Sequence, residues 1–160
     1  MHIINTTIVS GFPAIGKSFT AKLYPSAVRD LESSVFHWNL HTNGTKELNP
    51  DWPLNYIETI KALEKSGMYQ IVFVSSHEEI RKLMAEYDIK YTNIFPQDND
   101  ADKKFILSRM VARKSPDDLI WNIQENYSKY IDSMKNDPGA THYLQINKQI
   151  MDNFARWIVG

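Results

Sequence analysis

The chain has no cysteine. Disulfide bridges, thiolate nucleophiles and cysteine-ligated zinc are therefore excluded, and the absence fits a reducing compartment. No stretch reaches the roughly 18 apolar residues that a membrane-spanning helix requires, so no membrane partner is expected. The segment Met1–Thr7 has no cationic flank leading into a long apolar run, and no secretory signal is read there. The default location is cytoplasmic. Neither sign of charge is in surplus: 18 Lys and Arg against 19 Asp and Glu leave a net charge of -1. That argues against a strongly cationic nucleic-acid binder, while leaving room for a local basic site. No internal repeat, low-complexity tract or linker breaks the 160 residues, so residues 1–160 read as a single domain able to bury one core. With 42% hydrophobic and 23% charged residues, the composition is that of an ordinary globule rather than a disordered chain.

Against this background one stretch stands out. A β-type run, Ile3 to Val9, leads through Ser10 into Gly11-Phe12-Pro13-Ala14-Ile15-Gly16-Lys17-Ser18, followed by Phe19. This is GxxxxGK[ST], the P-loop pattern: backbone N–H groups of a glycine-containing loop wrap a polyphosphate, and a helix follows. Gly11 and Gly16 allow turns that a Cβ would forbid, Lys17 reaches the β- and γ-phosphates, and the Ser18 hydroxyl suits Mg²⁺. From average composition, four such positions match by accident in about one chain of this length in 200, and the preceding strand lowers that again. The expectation is a site for ATP with Mg²⁺ over Gly11–Phe19.

The rest of the chain alternates strand-like and helix-like segments. Ala27–Asp30 reads as a second strand ending in a carboxylate, which in a doubly wound sheet stands on the same rim as the P-loop; the alternative is that Asp30 and Glu32 are solvated loop residues. His37–Asp51, polar and rich in Asn, reads as a long surface loop whose His37, Trp38 and His41 either face an acceptor or are solvated. Leu54, Ile57, Ile60 and Leu63 give a helix its apolar face, ended by Gly67. Tyr69–Val74 reads as a central parallel strand, with Ser76 and Glu79 forming a capping box for the next helix. Many P-loop proteins end this strand in an Asp that holds Mg²⁺ through water. Here Ser75 and Ser76 stand there, which shifts the burden of a second carboxylate onto Asp30 or Glu32. His77 and Arg81 are candidates for an acceptor contact.

Lys90–Phe95 reads as the fourth strand. A helical segment from Ala101 follows, where Arg109 and Arg113, four apart, fall on one face and are placed to clamp phosphates. A solvated basic face is the alternative. Ser115-Pro116-Asp117 opens a long helix, Thr141–Ile146 reads as a fifth strand, and Gln149–Val159 as a closing helix.

Crossovers of helical length imply parallel pairing with helices on both faces of the sheet, an α/β class. GFPAIGKS after the first strand, an acid ending the second and a paired-arginine helix after the fourth resemble the small P-loop kinases, the nucleoside monophosphate kinase and shikimate or gluconate kinase group, including small nucleotide kinases of the phage type. Only the P-loop is a specific motif, and the DGFPR-like acceptor signature of adenylate kinases is absent. The resemblance implies a three-layer P-loop NTPase fold with a five-stranded parallel sheet of order 2-3-1-4-5. It implies a short helical lid at about 101–114, and adenine near Asn147 and Lys148. It also implies catalytic roles for Lys17, Asp30, Arg109 and Arg113, with Ser18 and Asp30 at the metal. The implied reaction is ATP- and Mg²⁺-dependent phosphoryl transfer to a small-molecule acceptor, foremost a nucleoside or deoxynucleoside monophosphate. The alternatives are a hydroxyl on a sugar, a nucleoside or a nucleic-acid 5′ end, or a nucleotide-dependent switch. No NKxD-type guanine-selecting sequence occurs.

Overall fold

Short apolar runs become strands when both of their faces can be covered, and the central strands here meet that condition. The computed structural model describes residues 5–160, so Ile3 and Ile4 of the expected first strand lie outside the described residues. Within them, strand β1 spans Thr7–Gly11, β2 Val28–Asp30, β5 Ile71–Val74, β6 Tyr91–Pro96 and β7 His142–Ile146. All their pairings are parallel. Neighbouring residues on one strand enter different apolar clusters, Val9 and Phe73 in one, Ile8 and Val72 in the other. This is the two-unit side-chain period of a sheet covered on both faces. The helices are α1 (Lys17–Leu23), α2 (Ser34–His37), α3 (Leu54–Ser66), α4 (Glu78–Glu86), α5 (Asp100–Ala112), α6 (Asp117–Lys135), α7 (Lys148–Asp152) and α8 (Phe154–Val159). Helix α3 ends as its sequence predicts, at a left-handed Gly67 with φ 63°.

The stretch 37–51 departs from the expected loop. It holds β3 (Trp38–Leu40) and β4 (Lys46–Leu48), an antiparallel hairpin outside the main sheet. Its strands are three residues each and β4 is fully exposed, so no alternation of apolar residues announces them. Side-chain stacking holds it instead: His37 lies between Trp38 and Trp52, 4.5 Å from each ring centre, and the Lys46 ammonium sits 4.6 Å over Trp38. The inserted hairpin shifts the numbering, so the sheet runs β2-β5-β1-β6-β7 and not 2-3-1-4-5. Numbered among themselves, its five strands stand second, third, first, fourth, fifth.

The expected lid is also corrected. Segment 101–114 is mostly α5, whose Ile106 and Met110 are completely buried in the core. Swinging it open would expose both, at about 1.5–3 kcal/mol each. Only the turn Arg113–Pro116, between α5 and α6, is free of that anchor. The closing helix is two pieces, α7 and α8, divided at Asn153.

Arg81 is likewise not available to a ligand. Its side chain is 3% exposed and pairs at 2.9 Å with Asp137, itself 6% exposed. Arg81 also donates to the Ser76 and Ser133 carbonyls and the Ser133 hydroxyl. Asp137 accepts from the Tyr91 hydroxyl and the Asn93 amide. Burial alone would raise the Asp137 carboxyl, but hydrogen bonds from Asn93, Tyr91, Arg81 and the Gly139 amide hold it below the ordinary aspartate value. The network ties α4, β6 and the end of α6 together. Removing one partner strands a buried charge, so Asp137→Ala is expected to lower unfolding stability in urea by about 3–5 kcal/mol. In the parent the ionised Asp137 stabilises fully above the ordinary value of 3.8. That contribution is lost as pH falls through the lowered folded value, a loss that acid titration of the variant should not show.

Candidate functional site

The loop between β1 and α1 is tied down at both ends. The Phe12 amide donates to the Ile94 carbonyl at 2.9 Å, and Gly16 accepts from both the amide and the hydroxyl of Thr20, at 3.0 and 2.7 Å. Between these ends Phe12, Ala14 and Ile15 are buried in the core, which leaves the backbone to turn sharply. Two residues take left-handed conformations, Ala14 at φ 66° and Gly16 at φ 123°. The Lys17 ammonium reaches back across the loop to the Gly11 carbonyl at 2.8 Å. Burial is the main cause that lowers the Lys17 pKa, opposed by Asp30 and Glu32 and reinforced by Arg113.

Asp30 stands beside the loop because β2 pairs with β5 and β5 with β1. The Ser18 hydroxyl donates to Asp30 Oδ2 at 2.9 Å. The two residues proposed from the sequence for a metal are therefore in direct contact. Hard oxygen ligands of this kind suit Mg²⁺, which takes one or two protein oxygens and completes its shell with phosphates and water. Among the described residues no group of three or more His, Asp or Glu could hold a metal by itself.

Tyr56, which lies outside the Leu54, Ile57, Ile60 and Leu63 stripe read from the sequence, sets the positions of these strand ends. Its hydroxyl donates to the Leu31 carbonyl at 2.7 Å and accepts from the Ser75 amide at 3.0 Å. A tyrosine beside an aliphatic stripe, an apolar ring with a polar tip, was the available signal. The expected capping box at Ser76 and Glu79 does not form: α4 begins one residue later, with His77 as N-cap and its amide donating to the Ser75 hydroxyl at 3.2 Å. Desolvation by surrounding atoms, then the Lys17 charge, hold the His77 imidazole below its ordinary value.

The two arginines expected to form a clamp have different surroundings. Arg109 donates to the Ala14 carbonyl at 3.1 Å and the Met151 carbonyl at 2.8 Å, and its guanidinium stacks 4.4 Å over Phe105. Its donors are thus committed to bracing the loop against α7, which sequence spacing could not reveal. Arg113 uses only its Nε, toward the Ser115 hydroxyl at 2.9 Å. Asn147 caps α7 by accepting from the Ile150 amide at 3.0 Å, and the Lys148 ammonium lies 5.9 Å from the Phe105 ring centre.

Two clefts open on the loop. The larger, about 650 Å³, lies between α1, the end of α5 and residues 151–156, with Phe19, Leu23 and Phe154 among its apolar walls. The smaller, about 180 Å³, lies among Asp30, Glu32, Ser75, His77, Asn122 and Tyr130. Lys17, Ser18 and Arg113 line both.

No protein-family profile matches the chain, and no curated protein matches it. In structure it is similar to an uncharacterized protein from Eubacterium ventriosum ATCC 27560, at 12% identity and a TM-score of 0.47, over 98% of this chain and 96% of that one. Among the described residues no helix is long and apolar enough to cross a membrane.

The two loop glycines carry different constraints. A Cβ on Gly16 meets Phe154 at 3.1 Å from a backbone at φ 123°, whereas a Cβ on Gly11 meets the Lys17 side chain at 2.8 Å and Ile15 Cδ1 at 3.1 Å. Gly16→Ala is expected to lose about 1–2 kcal/mol in urea unfolding. Gly11→Ala should lose less, because Gly11 is not in the left-handed region and its closest contact is a lysine stem that can move. A larger loss at Gly11 than at Gly16 would contradict this ordering.

Proposed function

We propose that the protein transfers the γ-phosphoryl group of ATP, with Mg²⁺, to a small acceptor. The observation that carries the reading is the meeting of two clefts at Lys17, Ser18 and Arg113. Transfer between two molecules needs two sites with a shared, cationic boundary where the phosphoryl group passes, and a simple hydrolase needs only one.

The larger cleft suits the nucleotide. Its volume falls within the range of small-molecule sites, and its apolar wall suits a base and ribose. The loop Gly11–Phe19 leads from it toward the smaller cleft, and Gly11, Phe12, Pro13, Ala14, Ile15, Gly16, Lys17, Ser18 and Phe19 are the residues proposed for the nucleotide. Lys17, on leaving the Gly11 carbonyl, and Arg113 would offset charge on the transferring group. Ser18 and Asp30 would hold Mg²⁺, which supplies neutralisation of the phosphate oxygens when bound. Arg109 contributes indirectly, by holding the loop. Asp30 also faces the smaller cleft, where a carboxylate can orient an acceptor. The proposed setting is the cytoplasm, where ATP and Mg²⁺ are supplied together.

Two variants test this. Lys17→Ala, folded by circular dichroism, is expected to lose binding of a fluorescent ATP analogue; binding equal to the parent's would remove the nucleotide site from this loop. Asp30→Asn keeps the size and most hydrogen bonding but not the charge. With the true acceptor its kcat is expected to fall about 100-fold or more while ATP binding changes little. Full turnover in that variant would return Asp30 to the role of a solvated rim residue.

A further inference from the structure

The smaller cleft has a distinct balance of charge. Of its lining residues, the cations Lys17 and Arg113 also line the larger cleft and are taken up by the donor's phosphates in the proposed reaction. The charged residues that belong to the smaller cleft alone are Asp30 and Glu32, both acidic. Desolvation and the Lys17 charge disfavour the charged form of His77 there. Arg81, the nearby cation that the sequence offered for an acceptor phosphate, is sealed against Asp137. The remaining polar groups are hydroxyls and an amide, among them Ser33, Ser76, Asn122 and Tyr130.

With Mg²⁺, Lys17 and Arg113 engaged by the donor's phosphates, an acceptor carrying a phosphate or carboxylate would bring an anion against Asp30 and Glu32 with no cation that belongs to the smaller cleft alone, and like charges at such range repel. A monophosphate site is ordinarily built from arginines that grip the phosphate in pairs. Hydroxyl groups, by contrast, donate to carboxylates and exchange hydrogen bonds with serine, asparagine and tyrosine side chains. At about 180 Å³ the cleft holds the space of about six waters, room for a compact molecule or for the reacting end of a larger one.

We infer that the acceptor is a non-anionic hydroxyl compound of about the size of a pentose or hexose, in place of the nucleoside monophosphate that the sequence puts first. The inference rests on the phosphoryl-transfer reading above. In the step, the acceptor oxygen forms a bond to the γ-phosphorus as the bond from that phosphorus to the β–γ bridging oxygen breaks. The nucleoside diphosphate leaves with the bonding pair, and the hydroxyl proton passes to Asp30. Ser18 occupies Oδ2 of that carboxylate, and Oδ1 accepts no hydrogen bond among the described residues, so it is the oxygen open to the acceptor.

The test offers the parent protein, with ATP and Mg²⁺, two sets of acceptors in parallel. One set is ribose, glucose, myo-inositol and glucosamine; the other is AMP, GMP, CMP and dTMP. ADP release is followed and the products are weighed by mass spectrometry. The expected result is at least tenfold stimulation by a member of the first set, a product heavier by one phosphoryl group, no stimulation by the second set, and loss of the stimulation in Asp30→Asn. Stimulation by a monophosphate, or by no compound in either set, overturns the acceptor assignment. If the fluorescent ATP analogue still binds the parent and not Lys17→Ala, the donor site survives that outcome. If the analogue binds neither, the phosphoryl-transfer reading falls as well, and the acceptor assignment with it.

Discussion

The site depends on one backbone constraint: the chain must leave the end of β1, turn back on itself within five residues and enter α1. It does so through left-handed conformations at Ala14 and Gly16, one of them at a residue that carries a Cβ. For a non-glycine residue that region costs about 1–2 kcal/mol, so something must hold it. Arg109 holds Ala14 by its carbonyl, Phe154 packs over Gly16, and the burial of Phe12 and Ile15 anchors the loop from beneath. The residues that keep the loop in place therefore come from α5, α7 and α8, far along the chain. The shape of the loop depends on contacts from the C-terminal third of the chain.

A second theme is the economy of cations. Of the three arginines that the sequence offers as ligand contacts, Arg81, Arg109 and Arg113, the first two donate to backbone carbonyls within the protein. Arg81 is enclosed with Asp137, where its charge is matched and its donors are satisfied. Arg109 is fixed between two carbonyls, where a planar fork of donors suits two acceptors at once. What remains at the junction of the clefts is Lys17 and Arg113. The larger cleft adds Lys22, Arg109 and Arg156 and the smaller adds no cation of its own, which is why the small cleft, with Asp30 and Glu32, is proposed as a place for hydroxyl groups rather than for a second phosphate.

The aromatic stack of Trp38, His37 and Trp52 shows the same dependence on distant partners. The hairpin β3–β4 has almost no buried surface of its own, and an isolated two-stranded hairpin is marginal in water. Stacking on His37, beside α3, supplies what burial does not. Histidines that seemed free to meet a ligand are thereby occupied: His37 by the two tryptophans, and His41 by a 3.6 Å contact with Glu47.

The sequence by itself determined the strands of the parallel sheet, the course of most helices and the candidate loop, because local patterns encode these. A run such as Ile71–Val74 is apolar whatever its neighbours, and Gly11, Gly16, Lys17 and Ser18 fall within eight residues. The contact of Ser18 with Asp30 was also legible, since parallel pairing brings strand ends to one rim. Only the tertiary structure decided which charged side chains face a ligand. A guanidinium on a helix reads the same in sequence whether it meets solvent, a phosphate or a carbonyl, and its partners Asp137, Ala14 and Met151 lie 56, 95 and 42 residues away. The hairpin, the anchored α5 and the two clefts were hidden for the same reason: each is made by contacts between segments that no local pattern relates.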